Sequence, residues 1–268
     1  MWLKVIALRQ GKFWWKLRSE SSGFHVARNA RRYERPAKKI NCKKRKIVEK
    51  IIRGVINFKK NVFPKHKDLF EHLIEEGQSP DILFITCSDS RIDPNMVTGS
   101  KPGDLFIFRN VGNVVPPHSK ETGGTTSAIE YAVAVLGVRH IIICGHTDCG
   151  AITGALDTDK LVGLPHVKEW LGHCRSAMEV VRERNGMASG TPLGHEHLDE
   201  AIEENVFQQV QHLRTHPSVA AKLATKKIKV HGWVYDIKSG SVKCAVHDEF
   251  RFVPFEEFYA REIKKLEL

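Results

Sequence analysis

No apolar run in this 268-residue sequence approaches the roughly 20 residues that a membrane-spanning helix needs. Neither G-x-G-x-x-G nor G-x-x-x-x-G-K-[ST] occurs. That removes the two common glycine-rich phosphate cradles, and with them an ordinary nicotinamide or nucleotide enzyme. Cysteine is scarce, with six in the whole chain, too few and too dispersed for a disulfide framework. No segment repeats. Acidic residues are nearly missing from the beginning: residues 1–46 hold 15 Lys/Arg against only Glu20 and Glu34, a net of +13. Since the whole chain carries +11, everything from Ile47 onward nets −2. The basicity therefore belongs to an N-terminal extension and is not a nucleic-acid signature of the folded part. The opening MWLKVIAL is too short and too charged for a secretory core. Residues 1–40, Arg-rich with Ser19, Ser21 and Ser22, suit an organelle transit peptide, a plain extension, or an arm for RNA or anionic lipid.

What is present reads as one α/β domain over residues 47–268. Val48, Ile51, Ile52, Val55 and Ile56 make one face of a helix. A second helix opens near Pro64, runs through Leu69, Phe70, Leu73 and Ile74, and closes at Gly77. Asp81–Ile85 (DILFI), Asp104–Phe108 (DLFIF) and His140–Ile143 (HIII) are short β-branched and aromatic runs, suited to buried parallel strands. Between the second and third, Gly123-Gly124 precedes a helix whose buried stripe is Ile129, Ala132, Val133 and Leu136, ended by Gly137. Helical patterns recur over 150–156, 165–184 and 197–213, with a polar Gly-rich loop at 185–195. Residues 229–237 and 242–247, joined by Ser239-Gly240, alternate as a terminal strand pair. Hydrophobic content of 41% is ordinary for such a domain.

Two of the apolar runs end in unusual polar sequences. The first delivers Thr86-Cys87-Ser88-Asp89-Ser90-Arg91, the second Cys144-Gly145-His146-Thr147-Asp148-Cys149-Gly150. Parallel neighbouring strands would bring Cys87, His146 and Cys149 to their shared carboxyl end, where open α/β sheets bind ligands. Two thiolates and an imidazole are three zinc ligands, leaving a fourth position open as in catalytic rather than structural sites. Thiolate ligands need reduced cysteine, hence a reducing compartment. Cys144 sits in a buried strand, where free cysteine is common, and Cys42, Cys174 and Cys244 lack ligand spacing.

CSDSR followed some sixty residues later by GHTDCG resembles the β-class carbonic anhydrases, over roughly residues 47–253. The resemblance implies an α/β fold with a central, mostly parallel sheet flanked by helices, forming a homodimer or an assembly of dimers. It implies one zinc ion per chain on Cys87, His146 and Cys149, and reversible hydration of CO2 to bicarbonate and a proton by zinc-bound hydroxide. Asp89 and Arg91 match the family's dyad, in which the carboxylate orients the hydroxide and the arginine keeps that carboxylate off the metal. Gln78 matches a glutamine that donates to substrate across the dimer interface. Phe106, Val111 and Tyr131 match pocket residues, and Gly150 permits close packing behind the metal at the start of an anion-favouring helix. Family members whose aspartate closes on zinc carry Trp and Gly three residues and one residue before the first cysteine. Here those positions are Phe84 and Thr86, which favours the open arrangement.

Two other readings fit the same residues. One is hydrolysis of CS2 or COS on the same scaffold. The other is a non-enzymatic zinc protein whose basic tail binds nucleic acid, which the presence of both Asp89 and Arg91 disfavours. Neither a membrane nor a nucleic acid is required as partner. The expected location is the cytoplasm, or a mitochondrion or plastid if residues 1–46 act as a targeting segment.

Overall fold

A computed structural model of the chain describes residues 43–120 and 123–266. The readings of the N-terminal extension fall mostly on residues 1–42 and lie outside the described residues. The described residues fall into two units, one ending at Pro64 and the other beginning at Lys65. In the first, helix α1 spans Lys43–Asn57 and runs into a π turn at Phe58–Val62. Its apolar positions Val48, Ile51, Ile52, Val55 and Ile56 keep helical spacing, and all are exposed.

The second unit is built on a six-stranded sheet. Its strands are β1 (Ile82–Cys87), β2 (Leu105–Asn110), β3 (His140–His146), β4 (Lys229–Tyr235), β5 (Val242–Val246) and β6 (Arg251–Pro254), in spatial order β2-β1-β3-β4-β5-β6. The first four run parallel, and β5 and β6 close one edge antiparallel. Period-two alternation sends Leu83, Ile85, Cys87, Ile141, Ile143 and Val234 to one face, where the main core lies. Phe84, Ile142 and Cys144 point to the other, packed against half-buried Ile82, Leu105, Ile107, Trp233 and Tyr235.

Helices fill the connections: α2 (Lys67–Glu75), α3 (Pro94–Thr98), α4 (Gly124–Glu130), α5 (Gly150–Leu156), α6 (Pro165–Leu171), α7 (Arg175–Arg184), α8 (Leu198–Arg214) and α9 (Pro217–Ala224). Two short helices, α10 (Phe255–Phe258) and α11 (Ala260–Lys265), follow β6. The pattern read as one helix over 165–184 is interrupted by a 3-10 turn at Gly172–Cys174. α8 is the principal helix on the sheet, lying against β3 and β4. It comes close because two strand glycines leave a notch for it. A Cβ at Gly145 would meet Val206 Cγ2 at 2.8 Å, and one at Gly232 would meet Val206 Cγ1 at 2.8 Å. Among the described residues no helix is long and apolar enough to cross a membrane.

Candidate metal centre

β1 ends in Cys87 and β3 in His146. Parallel pairing of the two strands brings these ends level, with Thr86 opposite Cys144. Cys149 follows three residues after His146, immediately before α5. One ligand atom from each of Cys87, His146 and Cys149 lies within 4.8 Å of the others, and all three residues are buried. The two sulfurs are 3.9 Å apart and form no disulfide. Zn–S bonds of about 2.3 Å at the tetrahedral angle put two sulfurs about 3.8 Å apart, so the spacing suits one ion. His146 Nδ1 lies 2.8 Å from the Thr147 carbonyl. That leaves Nε2 buried with no protein partner. Buried polar nitrogens are seldom left so, and this one faces two thiols. The donor set therefore fits a thiolate-preferring metal.

The thiols differ in acidity. The Cys149 sulfhydryl beside it draws the Cys87 thiol down, helped by the Gly112 amide and opposed by burial. Cys149 is pushed up by the Cys87 thiolate and by burial. A bound cation would displace the proton that Cys149 holds. Gly112 N–H points at Cys87 Sγ from 3.4 Å. Its φ of 82° is the left-handed conformation that glycine adopts without penalty.

Asp89 and Arg91 lie in the turn after Cys87. Arg91 Nε and Nη2 donate to Asp89 Oδ1 and Oδ2 at 2.9 and 2.8 Å, the two-pronged arrangement. Arg91 thereby holds the Asp89 carboxyl well below the usual carboxylate range. Sequence reasoning missed a third member. Asp148, between His146 and Cys149, accepts from Arg91 Nη1 at 2.6 Å through Oδ2, and its carbonyl accepts from Nη2 at 2.8 Å. Arg91 thus ties the Cys87 loop to the His146–Cys149 loop. Arg109 on β2 is a second omission: it donates to the carbonyls of Cys87 and Asp89 at 3.1 and 2.7 Å. Neither role has a signal in linear sequence, since the partners are 57 and about 20 residues away.

The loop after β2 is braced from α8. Asn205 Nδ2 donates to Gly112 O at 3.3 Å, and Gln209 Oε1 accepts from Val115 N at 2.8 Å. Val111, half-exposed, sits in this loop one residue from the amide on Cys87, and its carbonyl accepts from Trp170 Nε1. Gly150 requires a correction. Close packing does not explain it, because a Cβ there would meet nothing within 4 Å; the glycine that needs to be small is Gly145. Gly150 instead lines an open cavity of about 450 Å³, with Thr153, Leu193, Gly194 and His195 among its walls.

The remaining candidates lie elsewhere in the same chain. Phe106 pairs in register with Leu83, and its ring centroid is 6.0 Å from that of Tyr131. Leu83 lies four positions before Cys87 on the strand, roughly 13 Å at about 3.3 Å per residue. Gln78 is exposed in the segment before β1, at the end of that strand remote from Cys87. The structure therefore gathers Cys87, Asp89, Arg91, Val111, His146, Cys149 and Gly150 at one end of the sheet, and leaves Gln78, Phe106 and Tyr131 away from it.

Comparison with known proteins agrees with this geometry. The carbonic anhydrase family profile matches residues 82–242. A carbonic anhydrase of Synechococcus elongatus is 40% identical over 200 residues, spanning 73% of this chain and 70% of that protein. The solved structure of the β-carbonic anhydrase CcaA superposes with a TM-score of 0.73 at 38% identity, covering 78% of this chain and 92% of its own. A tetrameric β-carbonic anhydrase of the fungus Sordaria macrospora gives 0.64 at 30% identity, covering 74% of this chain and 96% of its own. Profile, relative and solved folds fall on the segment that carries the two cysteines, the histidine and the Asp89–Arg91 pair, and the chain belongs to the β-class carbonic anhydrases.

Proposed function

We propose that this carbonic anhydrase holds one zinc ion per chain on Cys87 Sγ, His146 Nε2 and Cys149 Sγ, and with it interconverts CO2 and water with bicarbonate and a proton. The observation that carries the reading is the buried, partnerless His146 Nε2 facing two thiols, with an ionised Asp89 within electrostatic reach. Zinc held by these residues would supply Lewis acidity that lowers the pKa of a bound water, an effect for which carbonic anhydrases are the standard case. Two thiolates cancel more of the metal's charge than imidazoles would, so the protein must contribute orientation. Asp89, held ionised by Arg91, accepts a hydrogen bond from that water and fixes where its lone pair points. Arg91 occupies both Asp89 oxygens and keeps them from competing as a ligand.

Gln78, Phe106 and Tyr131 are assigned to the site of a second copy, in a dimer or an assembly of dimers. Their distance along β1 from their own chain's Cys87 supports this, as does the exposure of Gln78 and of 43% of Tyr131. CS2 or COS hydrolysis and a nucleic-acid role find no support in the relatives compared.

The test is stopped-flow CO2 hydration at pH 7 and 8.5, with zinc assayed on the same sample. Fast hydration at both values with about one zinc per chain is expected, and Cys149→Ser loses metal and activity together. Zinc without hydration would sink the CO2 assignment, and full metal with full activity in Cys149→Ser would sink the ligand set. A monomer at assay concentration with full activity would remove the shared pocket.

A further inference from the structure

The metal-ligand loop is held from two sides, and the mechanism above uses only one. On the Arg91 side it is tied by Asp148. On the opposite side it meets the hairpin joining β4 to β5, a part of the chain that supplies no ligand. We propose that Asp236, in the tip of that hairpin, is a positioning residue for the metal ligand His146 and acts through Thr147. The proposal rests on the metal assignment above.

The chain of contacts begins at the imidazole. A carbonyl can only accept, so the His146 ring nitrogen 2.8 Å from Thr147 O carries the proton, and Nε2 keeps its lone pair. The orientation of the Thr147 peptide therefore selects the tautomer that can bind metal. Three hydrogen bonds fix Thr147, all to consecutive residues of the β4 end. Thr147 N donates to Tyr235 O at 3.0 Å, Thr147 Oγ1 donates to Asp236 Oδ1 at 3.1 Å, and Ile237 N donates to Thr147 Oγ1 at 3.1 Å. The threonine hydroxyl thus donates and accepts at once through one oxygen, which valine at this position could not do.

Asp236 is itself immobilised. Its Oδ1 accepts from Lys238 N at 2.9 Å and its Oδ2 from Ser239 Oγ at 2.5 Å. Its backbone closes the hairpin, accepting from Gly240 N and donating to Ser241 O, each at 2.8 Å. The carboxylate lies below the ordinary range because Ser239, the Lys238 amide and Thr147 donate to it. It is ionised at working pH, so its bond from Thr147 is charge-assisted. Without the hydroxyl, Thr147 would be held to β4 by the Thr147 N–Tyr235 O bond alone, and its carbonyl could swing away from Nδ1. The imidazole would then be free to take its other tautomer, with Nε2 protonated and unable to ligate.

The readout is zinc retention, not turnover: competition of dipicolinate for zinc in purified protein, alongside apo-protein melting. Thr147→Val and Asp236→Ala are each expected to lose zinc about tenfold more readily, the lower end of the range for partners of a metal-bound histidine. Thr147→Ser restores the hydroxyl and stays within about twofold of wild type, and the double variant is no worse than the weaker single, because both act through one bond. Ser239→Ala frees Asp236 Oδ2 and loosens the hairpin but leaves the Thr147 bond to Oδ1 in place. It should lower the melting temperature while retaining zinc. Should Asp236→Ala fail to fold, Asp236→Asn replaces it, with a smaller loss of the same sign. Unchanged retention in Thr147→Val, additive losses in the double variant, or an equal loss in Ser239→Ala would each overturn the positioning role. Wild-type protein that takes up no zinc would overturn the metal assignment itself, and the role of Asp236 with it.

Discussion

Asp148 adopts φ 54°, an uncommon conformation for a residue with a Cβ, and there it presents both carboxylate and carbonyl to one guanidinium. Arg91 consequently has four donor contacts on two aspartates that bracket the metal ligands. The Arg91–Asp148 contact is the more exposed of the two, with side chains 43% and 69% accessible, and such pairs contribute little on their own. The Arg91–Asp89 contact is two-pronged, and its aspartate is 17% accessible. This ordering fixes an expected ranking. Asp148→Gly keeps the positive φ and the backbone carbonyl but removes the carboxylate; it should retain zinc and lose only a few-fold in turnover, since Arg91 keeps both prongs on Asp89. Asp89→Asn should also retain zinc but lose turnover almost entirely, because it removes the acceptor that orients the attacking water. Steady-state kinetics with metal analysis on each variant checks the order. A larger loss in Asp148→Gly than in Asp89→Asn would mean that the loop tie, not the orienting carboxylate, governs the reaction.

At the scale of elements, the site depends on how closely α8 approaches β3 and β4, because Asn205 and Gln209 on that helix brace the loop whose Gly112 amide meets Cys87. Gly145→Ala would put a methyl 2.8 Å from Val206 Cγ2 in a buried strand. An overpacked core of this kind costs about 1–3 kcal/mol. Val206→Ala makes room, so the double variant should recover part of that loss in urea unfolding; strictly additive losses would place the strain elsewhere. The notch was not legible in sequence. Gly145 reads as part of a motif and Gly232 as a weakness in a strand, and only their juxtaposition under one valine explains both. What was legible followed from local chemistry: DILFI, DLFIF and HIII are strands because β-branched and aromatic side chains suit a buried sheet, and their ends carry the ligand residues. Asp93-Pro94 is the start of α3. Asp93 Oδ1 accepts from Asn95 N and Met96 N at 3.1 and 3.3 Å, and Pro94 takes the first helical position, where a missing N–H costs nothing. α9 and β6, also unanticipated, are short segments, where periodicity has too few residues to register.

For the molecule as a whole, half-buried histidines set the response to acid. His231 is held between His140 Nδ1 and the Tyr259 hydroxyl, each 3.0 Å away. Burial first, then the charges of His140, Lys229 and His247, push it down to about 4 from an ordinary 6.5. Burial lowers His140, His173, His212, His216 and His247 in the same direction. Above pH 6.5 both folded and unfolded chains carry these rings neutral, and they contribute nothing to the pH dependence. Below it the unfolded chain takes up protons that the folded chain refuses, so stability falls as pH falls from 6.5 toward 4. For His231 alone the loss saturates at roughly 3 kcal/mol, at about 1.4 kcal/mol per pH unit. Asp89 acts in a lower window. Its depressed carboxyl stabilises the fold above the unfolded carboxylate range, and that stability is lost only as pH drops further toward its folded value. Urea unfolding at pH 7.5, 6 and 5 should therefore show a steady decline in wild type and a shallower one in His231→Gln, by about one proton's worth of slope. Measuring both proteins in the same metal state cancels the proton release at the cysteine ligands. Equal slopes would mean that His231 is protonated in the folded protein and that the His140–His231–Tyr259 contacts rearrange to admit the charge.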